Sequence, residues 1–156
     1  MAHDGSTQSS EAEAGIIEQV VAELGKRNVT EQNGSSHKLD PVKDLLFVAP
    51  FNAQVRLLTQ RLGKGSRIGS VDRFQGQEAP VAIVSMCSSC LDDAPRGAKF
   101  LLNRNRLNVA ISRAQALAIV VASPGLRAAR CGSIEEMKLV NFFCRLWEYA
   151  ATSSRA

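Results

Sequence analysis

Residues 69–87 read GSVDRFQGQEAPVAIVSMC, a polar loop that carries glycine and runs into a stretch at 81–86 that is apolar apart from Ser85. A largely apolar run of this length is typical of a strand that is buried on both faces of a sheet. Two further runs, at 45–49 and 117–122, have the same character, and segments with helical spacing separate the three. Strands that alternate with helices predict an α/β fold, a parallel sheet with helices on both faces.

The segments around these strands predict the remaining elements. Ser10 and Glu13 have the spacing of a capping box, and a helix is expected after them, followed by a surface loop at 28–40. Another helix is expected near 103–114. A longer one follows Ser133, with inward residues at helical spacing: Met137, Val140, Phe143, Cys144 and Trp147. Residues 1–9 are expected to be disordered, and residues 10–151 to form one domain.

Composition excludes several classes of protein. The chain has 156 residues and is 45% hydrophobic, enough for a globular core. No apolar run approaches the ~20 residues that span a bilayer, and the first residues do not resemble a secretory signal. We therefore expect a cytoplasmic protein with no membrane partner. Cys87 and Cys90 form a lone CxxC without a second ligand pair, so no metal site is expected.

Charge is distributed unevenly along the chain. The formal net charge is +4, and no acidic residue occurs between Asp93 and Glu135. That stretch carries seven basic residues: Arg96, Lys99, Arg104, Arg106, Arg113, Arg127 and Arg130. A basic segment suits phosphate, either in a nucleotide or along a nucleic-acid backbone. On charge alone, a solvated basic face is the favoured interpretation.

A second block, residues 106–115, reads RLNVAISRAQ. Together with the 69–87 block, and in this order, it resembles motifs V and VI of superfamily 1 helicases, over roughly residues 45–150. The branch that acts in RNA surveillance and DNA replication is the most similar, and in particular a bacterial family that fuses such a helicase to a RecB-like nuclease. The resemblance implies a second RecA-like domain, which has the fold of a P-loop NTPase without a P-loop of its own.

The resemblance also implies roles for individual residues. Arg113 matches the arginine finger that neutralises charge on a transferring phosphoryl group. Gly76 and Glu78 match positions that contact the nucleotide; Arg106 shares the helix face of Arg113 and is placed at the same site. Gln54, at the start of a helix after an apolar strand, is expected to reach the interdomain cleft.

The nucleic-acid backbone is expected to contact the beginning of the loop and the basic stretch beyond it. Ser70 offers a hydroxyl and Gln75 an amide, while Arg96 and Lys99 add charge. The alternative is an ordinary connection between strands, with Phe74 in the core and both motif arginines on the surface.

The sequence lacks two elements that an ATP site requires. There is no GxxxxGK[ST] loop, and no acidic pair follows a strand. In the resembling family these belong to the first RecA-like domain, so ATP and Mg²⁺ are expected only together with that partner domain. The chain then looks like a C-terminal piece (a truncated chain, a gene fragment or a split subunit) that does not hydrolyse ATP alone.

Single-stranded nucleic acid is the expected partner, DNA rather than RNA. The alternative is a stand-alone module that binds nucleic acid or protein and has lost its ATPase partner. A small α/β enzyme of another family is the third possibility. It is disfavoured because the sequence has no GxSxG motif and both histidines lie outside every motif.

Overall fold

The computed structural model describes residues 8–88, 94 and 96–153. Within them, five helices and six strands are joined by two short 3₁₀ turns, Val71–Phe74 and Pro124–Ala128. In chain order the elements are α1 (Glu11–Leu24), β1 (Asn28–Thr30), β2 (Ser36–Lys38), β3 (Leu45–Val48), α2 (Asn52–Leu62), β4 (Arg67–Gly69), β5 (Ala79–Ser85), α3 (Gly97–Leu101), α4 (Arg104–Ser112), β6 (Ala114–Val121) and α5 (Ile134–Ser153).

The main sheet has four parallel strands in the order β4-β3-β5-β6. Phe47 of β3 aligns with Ile68 of β4 on one side and with Ile83 of β5 on the other. The two central strands are almost entirely buried, as their continuous apolar sequences predict. This arrangement confirms the α/β prediction.

Helices cover both faces of the sheet. Alternate residues of a strand point to opposite faces, and β3 divides its side chains accordingly. Phe47 packs with α1 and α2, in a cluster that includes Ile17 and Leu58. Leu46 and Val48 face the other side, where α3, α4 and α5 supply buried residues such as Leu101, Leu107 and Phe143. The prediction of helices on both faces is confirmed.

The expected loop at 28–40 is instead an exposed antiparallel hairpin of β1 and β2, in which Val29 aligns with His37. Its turn contains Gly34 with φ +84°, a conformation that glycine adopts readily. The predicted helix near 103–114 corresponds to α4, and Ala114 already belongs to β6. The short helix α3 before it was not predicted.

β6 differs most from its prediction as a buried strand. It is the edge strand of the sheet, Leu117 is 44% exposed, and only Val121 is buried. In the described part of the chain no strand lies beyond β6, so β6 pairs with another strand, β5, on one edge alone. Met137 of α5, expected to point inward, is 56% exposed, because it lies at the margin of the apolar stripe that Val140 and Phe143 define.

The start of α1 also differs in part. The Ser10 hydroxyl caps the helix by accepting a 3.2 Å hydrogen bond from the Glu13 amide, as predicted. Glu13 does not close the capping box, because its side chain turns into the protein. The Ser10 amide donates to Gln54 Oε1 at 2.7 Å instead. Since residues 1–7 and 154–156 lie outside the described residues, disorder at 1–9 and the 10–151 domain boundaries stay predictions. No helix in the described chain is both long and apolar enough to cross a membrane.

Candidate functional site

The loop 70–78 runs from the carboxyl end of β4 to the amino end of β5, and therefore along the length of the sheet beside α4. Its first half is the 3₁₀ turn, which contacts α4 and is anchored by the buried ring of Phe74. Gly76 in its second half has φ +77°. A Cβ at Gly76 would meet no atom within 4 Å, so backbone conformation rather than space favours glycine there.

Both motif arginines meet this loop, one at each end. Arg106 lies near its start, with Nη2 3.7 Å from Asp72 Oδ2. Arg113 follows the last residue of α4 and donates from Nη1 to the carbonyl of Gln77 at 3.4 Å. Seven residues of α-helix separate the two arginines by about 10 Å along the axis. The predicted site residues therefore form two clusters, one at each end of the sheet.

The first cluster lies at the amino end of β5. The Arg113 guanidinium is oriented by three neutral oxygens: it donates from Nε to the Val109 carbonyl at 3.2 Å, from Nη1 to the Gln77 carbonyl, and from Nη2 to Ser112 Oγ at 3.2 Å. Its own carbonyl accepts from the Ala79 amide at 3.0 Å, which fixes the backbone to β5. Among the described residues, no carboxylate forms an ion pair with Arg113. Its positive charge is held in place and remains uncompensated.

Gly76 and Glu78 flank Gln77, so three of the four motif V and VI positions assigned to the nucleotide, Arg113, Gly76 and Glu78, lie together. Arg67, which begins β4, holds the end of the loop by donating to the Glu78 carbonyl at 3.3 Å and to Gln77 Oε1 at 3.3 Å. The Glu78 side chain is exposed. It lines an open cleft of about 900 Å³ beside the β1–β2 hairpin.

Arg67 was not among the predicted site residues. The available signal was its position: Arg67 begins β4, and the amino ends of the parallel strands β4, β3 and β5 lie at the same edge of the sheet.

The second cluster lies at the carboxyl ends of the strands. The ring of Phe100 carries two guanidinium groups, with Arg106 Cζ 4.4 Å and Arg96 Cζ 4.9 Å from its centroid. A small cavity of about 30 Å³ beside them is lined by Ser70, Pro50, Phe100 and Arg106, among others. Arg106 thus lies with Ser70 and Arg96, which were predicted to contact nucleic acid, rather than beside Arg113.

Phe100 is the residue that sequence reasoning undervalued in this cluster. The signal was the i, i+4 spacing from Arg96 to Phe100 along a basic segment, which places a guanidinium over a ring on one helix turn.

Two other predicted nucleic-acid contacts lie at the margins. Gln75 is exposed in the loop. Lys99 forms an ion pair with Glu135 of α5, Nζ to Oε2 2.5 Å, which raises the pKa of Lys99 and lowers that of Glu135. Because both side chains are exposed, this pair adds little stability. The ion pair does engage the Lys99 ammonium, which was expected to contact phosphate.

Gln54 is placed differently from its prediction. Its side chain is fully buried and its amide donates to Ser85 Oγ at 3.0 Å, while Oε1 accepts from the Ser10 amide. Gln54 therefore ties α1, α2 and β5 together and does not face an interdomain cleft. A buried amide with this many partners is a structural bridge.

Metal-binding geometry is lacking in the part of the chain that the structure describes, where no three His, Cys, Asp or Glu residues are grouped to hold an ion. Cys87 is buried, and burial together with the neighbouring Glu13 raises the pKa of its thiol well above the ordinary range. Such a thiol stays protonated, which opposes metal ligation. Cys90 lies outside the described residues, so the expectation for the CxxC pair stays a prediction.

Comparison with known proteins places the chain in a family. The model of the AAA domain family matches residues 2–125. "Uncharacterized ATP-dependent helicase C05C10.2" of Caenorhabditis elegans is 34% identical over 127 residues, covering 80% of this chain and 7% of that protein. "DNA polymerase alpha-associated DNA helicase A" of Schizosaccharomyces pombe is 43% identical over 74 residues, covering 46% of this chain and 11% of the helicase.

A third relative is "RNA helicase Mov10l1" of Homo sapiens, 36% identical over 107 residues, covering 63% of this chain and 9% of that protein. The chain thus spans about a tenth of the length of the curated relatives it matches. These matches agree with the parallel sheet and with the two motif blocks on its 70–78 loop and α4. The chain belongs to the AAA domain family and is a helicase domain of superfamily 1.

Proposed function

We propose that the chain acts as the second RecA-like domain of an ATP-dependent superfamily 1 helicase. It binds nucleic-acid backbone through Ser70, Arg96 and Arg106, and it completes an ATP site by presenting Arg113. The observation that carries this proposal is the guanidinium of Arg113, which is fixed by neutral oxygens and has no described carboxylate to compensate it. An oriented, uncompensated guanidinium fits an anionic ligand.

The chemistry follows from the shape and charge of that group. Phosphoryl transfer spreads negative charge over the oxygens of the γ-phosphoryl group, and a planar guanidinium matches those oxygens while staying charged. The hydrogen bond from Nε to the Val109 carbonyl fixes the plane of the guanidinium. Gly76 and Glu78 lie one residue on either side of Gln77, whose carbonyl Arg113 contacts, and this proximity supports a role for both at the same nucleotide.

ATP and Mg²⁺ belong to the interface with a first RecA-like domain. The 156 residues contain no GxxxxGK[ST] loop, so the phosphate cradle must come from that domain. When bound there, ATP would supply the phosphoryl group and Mg²⁺ would supply compensating positive charge. What this chain contributes is the position of Arg113 and the loop that supports it.

The proposed nucleic-acid surface is the second cluster, at the carboxyl ends of the strands. We call it the carboxyl-end cluster, and it consists of Ser70, Arg96, Phe100 and Arg106. Arginine and hydroxyl groups are typical contacts to phosphate, and such contacts fix position without reading sequence. The relatives include proteins named as a DNA helicase and as an RNA helicase. The proposal is therefore for single-stranded nucleic acid of either kind, without the preference for DNA that the sequence suggested. An attached RecB-like nuclease stays a prediction.

A second candidate function follows from the same lack of a phosphate loop in the 156 residues. A module that has lost its ATPase partner keeps the carboxyl-end cluster and binds nucleic acid or protein without turnover.

Phosphate release distinguishes the two candidates. The chain alone, with or without single-stranded nucleic acid, is expected to show only background ATP hydrolysis. Joined to the first RecA-like domain of its parent protein, it is expected to hydrolyse ATP in response to nucleic acid. Turnover by the chain alone contradicts both candidates. A joined protein that binds oligonucleotide but never hydrolyses ATP supports the binding module.

A further inference from the structure

A groove of about 420 Å³ lies where α4 meets α5, and none of its lining residues belongs to the 70–78 loop. We call it the Arg104–Tyr149 groove. It is lined by Arg104, Asn141, Phe142, Arg145, Leu146 and Tyr149. Neither the two motif blocks nor the two clusters described above account for it.

The groove combines cationic and aromatic side chains. The Arg104 guanidinium lies 5.4 Å from the centroid of the Phe142 ring, and its Nη2 donates to the Lys138 carbonyl at 3.3 Å. These contacts hold the Arg104 guanidinium across the junction of α4 and α5. Arg145 is exposed one helical turn before Tyr149, whose side chain is 74% exposed. No carboxylate is among the lining residues.

This chemistry fits single-stranded nucleic acid. Guanidinium groups pair with phosphates, and an exposed ring offers a face on which a base can stack. An acidic peptide would satisfy the arginines but would leave the tyrosine face without a planar partner. A free aromatic beside two arginines therefore favours nucleic acid over an acidic protein segment.

The groove also adjoins the carboxyl-end cluster. Arg104 and Arg106 both project from the first turn of α4, Arg104 toward Phe142 of α5 and Arg106 toward Phe100 and Asp72. The two arginines are two residues apart, about 3 Å along the helix axis, and they point to different sides of α4. A strand that contacts Arg106 therefore reaches Arg104 by crossing the beginning of α4. The two surfaces therefore adjoin each other at the beginning of α4.

We propose that the Arg104–Tyr149 groove binds the portion of a single strand that leaves the carboxyl-end cluster, with phosphate at Arg104 and Arg145 and a base stacked on Tyr149. This inference rests on the proposed nucleic-acid binding of the chain and extends it to a second, outer surface.

Tyr149 supplies a direct measurement, because it is the only tyrosine in the sequence and Trp147 the only tryptophan. In a Trp147→Phe chain, tyrosine emission comes from Tyr149 alone. Titration with an oligonucleotide of about 20 nucleotides, longer than one compact binding site, is expected to quench that emission. Anisotropy of a labelled oligonucleotide follows total binding in the same samples.

Three variants complete the experiment. Tyr149→Ala, made in the otherwise unchanged chain, is expected to weaken binding of the long oligonucleotide at least about fivefold. Arg145→Ala is expected to reduce the quenching and to lower the slope of log K against log salt by about 0.7, as one phosphate contact is lost. Arg56→Ala is the matched control, since Arg56 is an exposed arginine of α2 on the opposite face of the sheet. It is expected to leave quenching and affinity unchanged.

Each other outcome overturns the inference. If anisotropy shows binding that depends on Arg106 while Tyr149 emission stays constant, the groove is not on the path, although the proposed function stands. If a polyglutamate peptide quenches Tyr149 as strongly as the oligonucleotide does, the groove is a site for acidic protein. If no oligonucleotide binds at all, the proposed nucleic-acid function fails together with this extension.

Discussion

The carboxylate of Glu13 accepts a 2.7 Å hydrogen bond from the hydroxyl of Ser85 in the interior of the protein. The same oxygen, Oε2, accepts from the Cys87 amide at 2.9 Å. Glu13 belongs to α1, whereas Ser85 ends β5, so the contact joins the first helix to the carboxyl end of a central strand. Cys87 has φ +47°, a conformation that residues other than glycine adopt rarely. The network therefore supports the surface that carries the carboxyl-end cluster.

Burial of this carboxylate predicts a pH dependence of stability. Desolvation raises the folded-state pKa of Glu13 above its ordinary value of 4.5, although hydrogen bonds from Ser85 and Cys87 oppose that rise. The folded protein then holds a proton that the unfolded chain has released. The free energy of unfolding is expected to fall as pH rises from about 4.5 through the folded-state pKa, and then to level off.

Urea unfolding at a series of pH values measures this dependence. Glu13→Gln removes the titrating group and is expected to reduce the decrease of the unfolding free energy with rising pH. Glu23→Gln is the control, the same chemical change at an exposed residue of the same helix. A Glu13→Gln protein whose unfolding free energy declines with pH as steeply as that of the unchanged chain would falsify the assignment.

Arg113→Ala is expected to reduce ATP turnover of the parent protein by about 10³-fold or more, the scale of an arginine finger. Nucleic-acid affinity is expected to change little, because Arg113 lies about 10 Å along α4 from Arg106. Single-turnover phosphate release and oligonucleotide binding, measured on the same preparation, separate the two effects. Arg56→Ala again serves as the control for loss of an exposed arginine. Turnover within a factor of a few of the unchanged protein rejects the role of Arg113.

The thiol of Cys87 is expected to be protonated and slow to react. Burial raises its pKa, and the neighbouring Glu13 adds to that rise. A thiol reagent is expected to modify the partly exposed Cys131 and Cys144 before Cys87 in the native protein. Elemental analysis is expected to find no stoichiometric zinc. Zinc near one equivalent, lost in Cys87→Ser, would show that the CxxC pair binds metal.

The sheet could be predicted from sequence because its central strands are continuous apolar runs. β3 and β5 are recognisable for that reason alone. β6 has an equally apolar sequence, yet its exposure depends on its position at the edge of the sheet, and strand order is not encoded in local composition. The hairpin at 28–38 was missed because its strands are three residues long and exposed, so no buried face imposes a pattern.

The candidate site, like the sheet, could be predicted from the sequence only in part. Arg113, Gly76 and Glu78 were found through motif spacing, and chain proximity keeps Gly76 and Glu78 together in any fold. The separation of Arg106 from Arg113 depends on the loop 70–78 running beside α4, which only the tertiary structure reveals. Gln54 and Glu13 are polar residues whose partners lie 44 and 72 residues away. No local pattern predicts burial that depends on such distant partners.

Weak binding of single-stranded nucleic acid is expected for the chain alone, with Kd of about 10⁻⁴ to 10⁻⁶ M at physiological salt. The carboxyl-end cluster supplies the contacts: the Ser70 hydroxyl and the two guanidinium groups on Phe100. Because both guanidiniums lie on that ring, Phe100 organises charge and is not free to stack on a base. Affinity is therefore expected to fall as salt rises, since phosphate contacts release counterions.

Three substitutions test this arrangement with a labelled oligonucleotide at several salt concentrations. Arg106→Ala is expected to weaken binding and to lower the salt slope by about 0.7, the value of one phosphate contact on a single strand. Phe100→Leu keeps an apolar side chain but removes the ring, so it is expected to weaken binding by releasing both arginines. Arg56→Ala, on the opposite face of the sheet, is expected to leave slope and affinity unchanged. Binding that ignores salt, or that Arg106→Ala and Arg56→Ala reduce equally, would mean that the carboxyl-end cluster does not hold the strand.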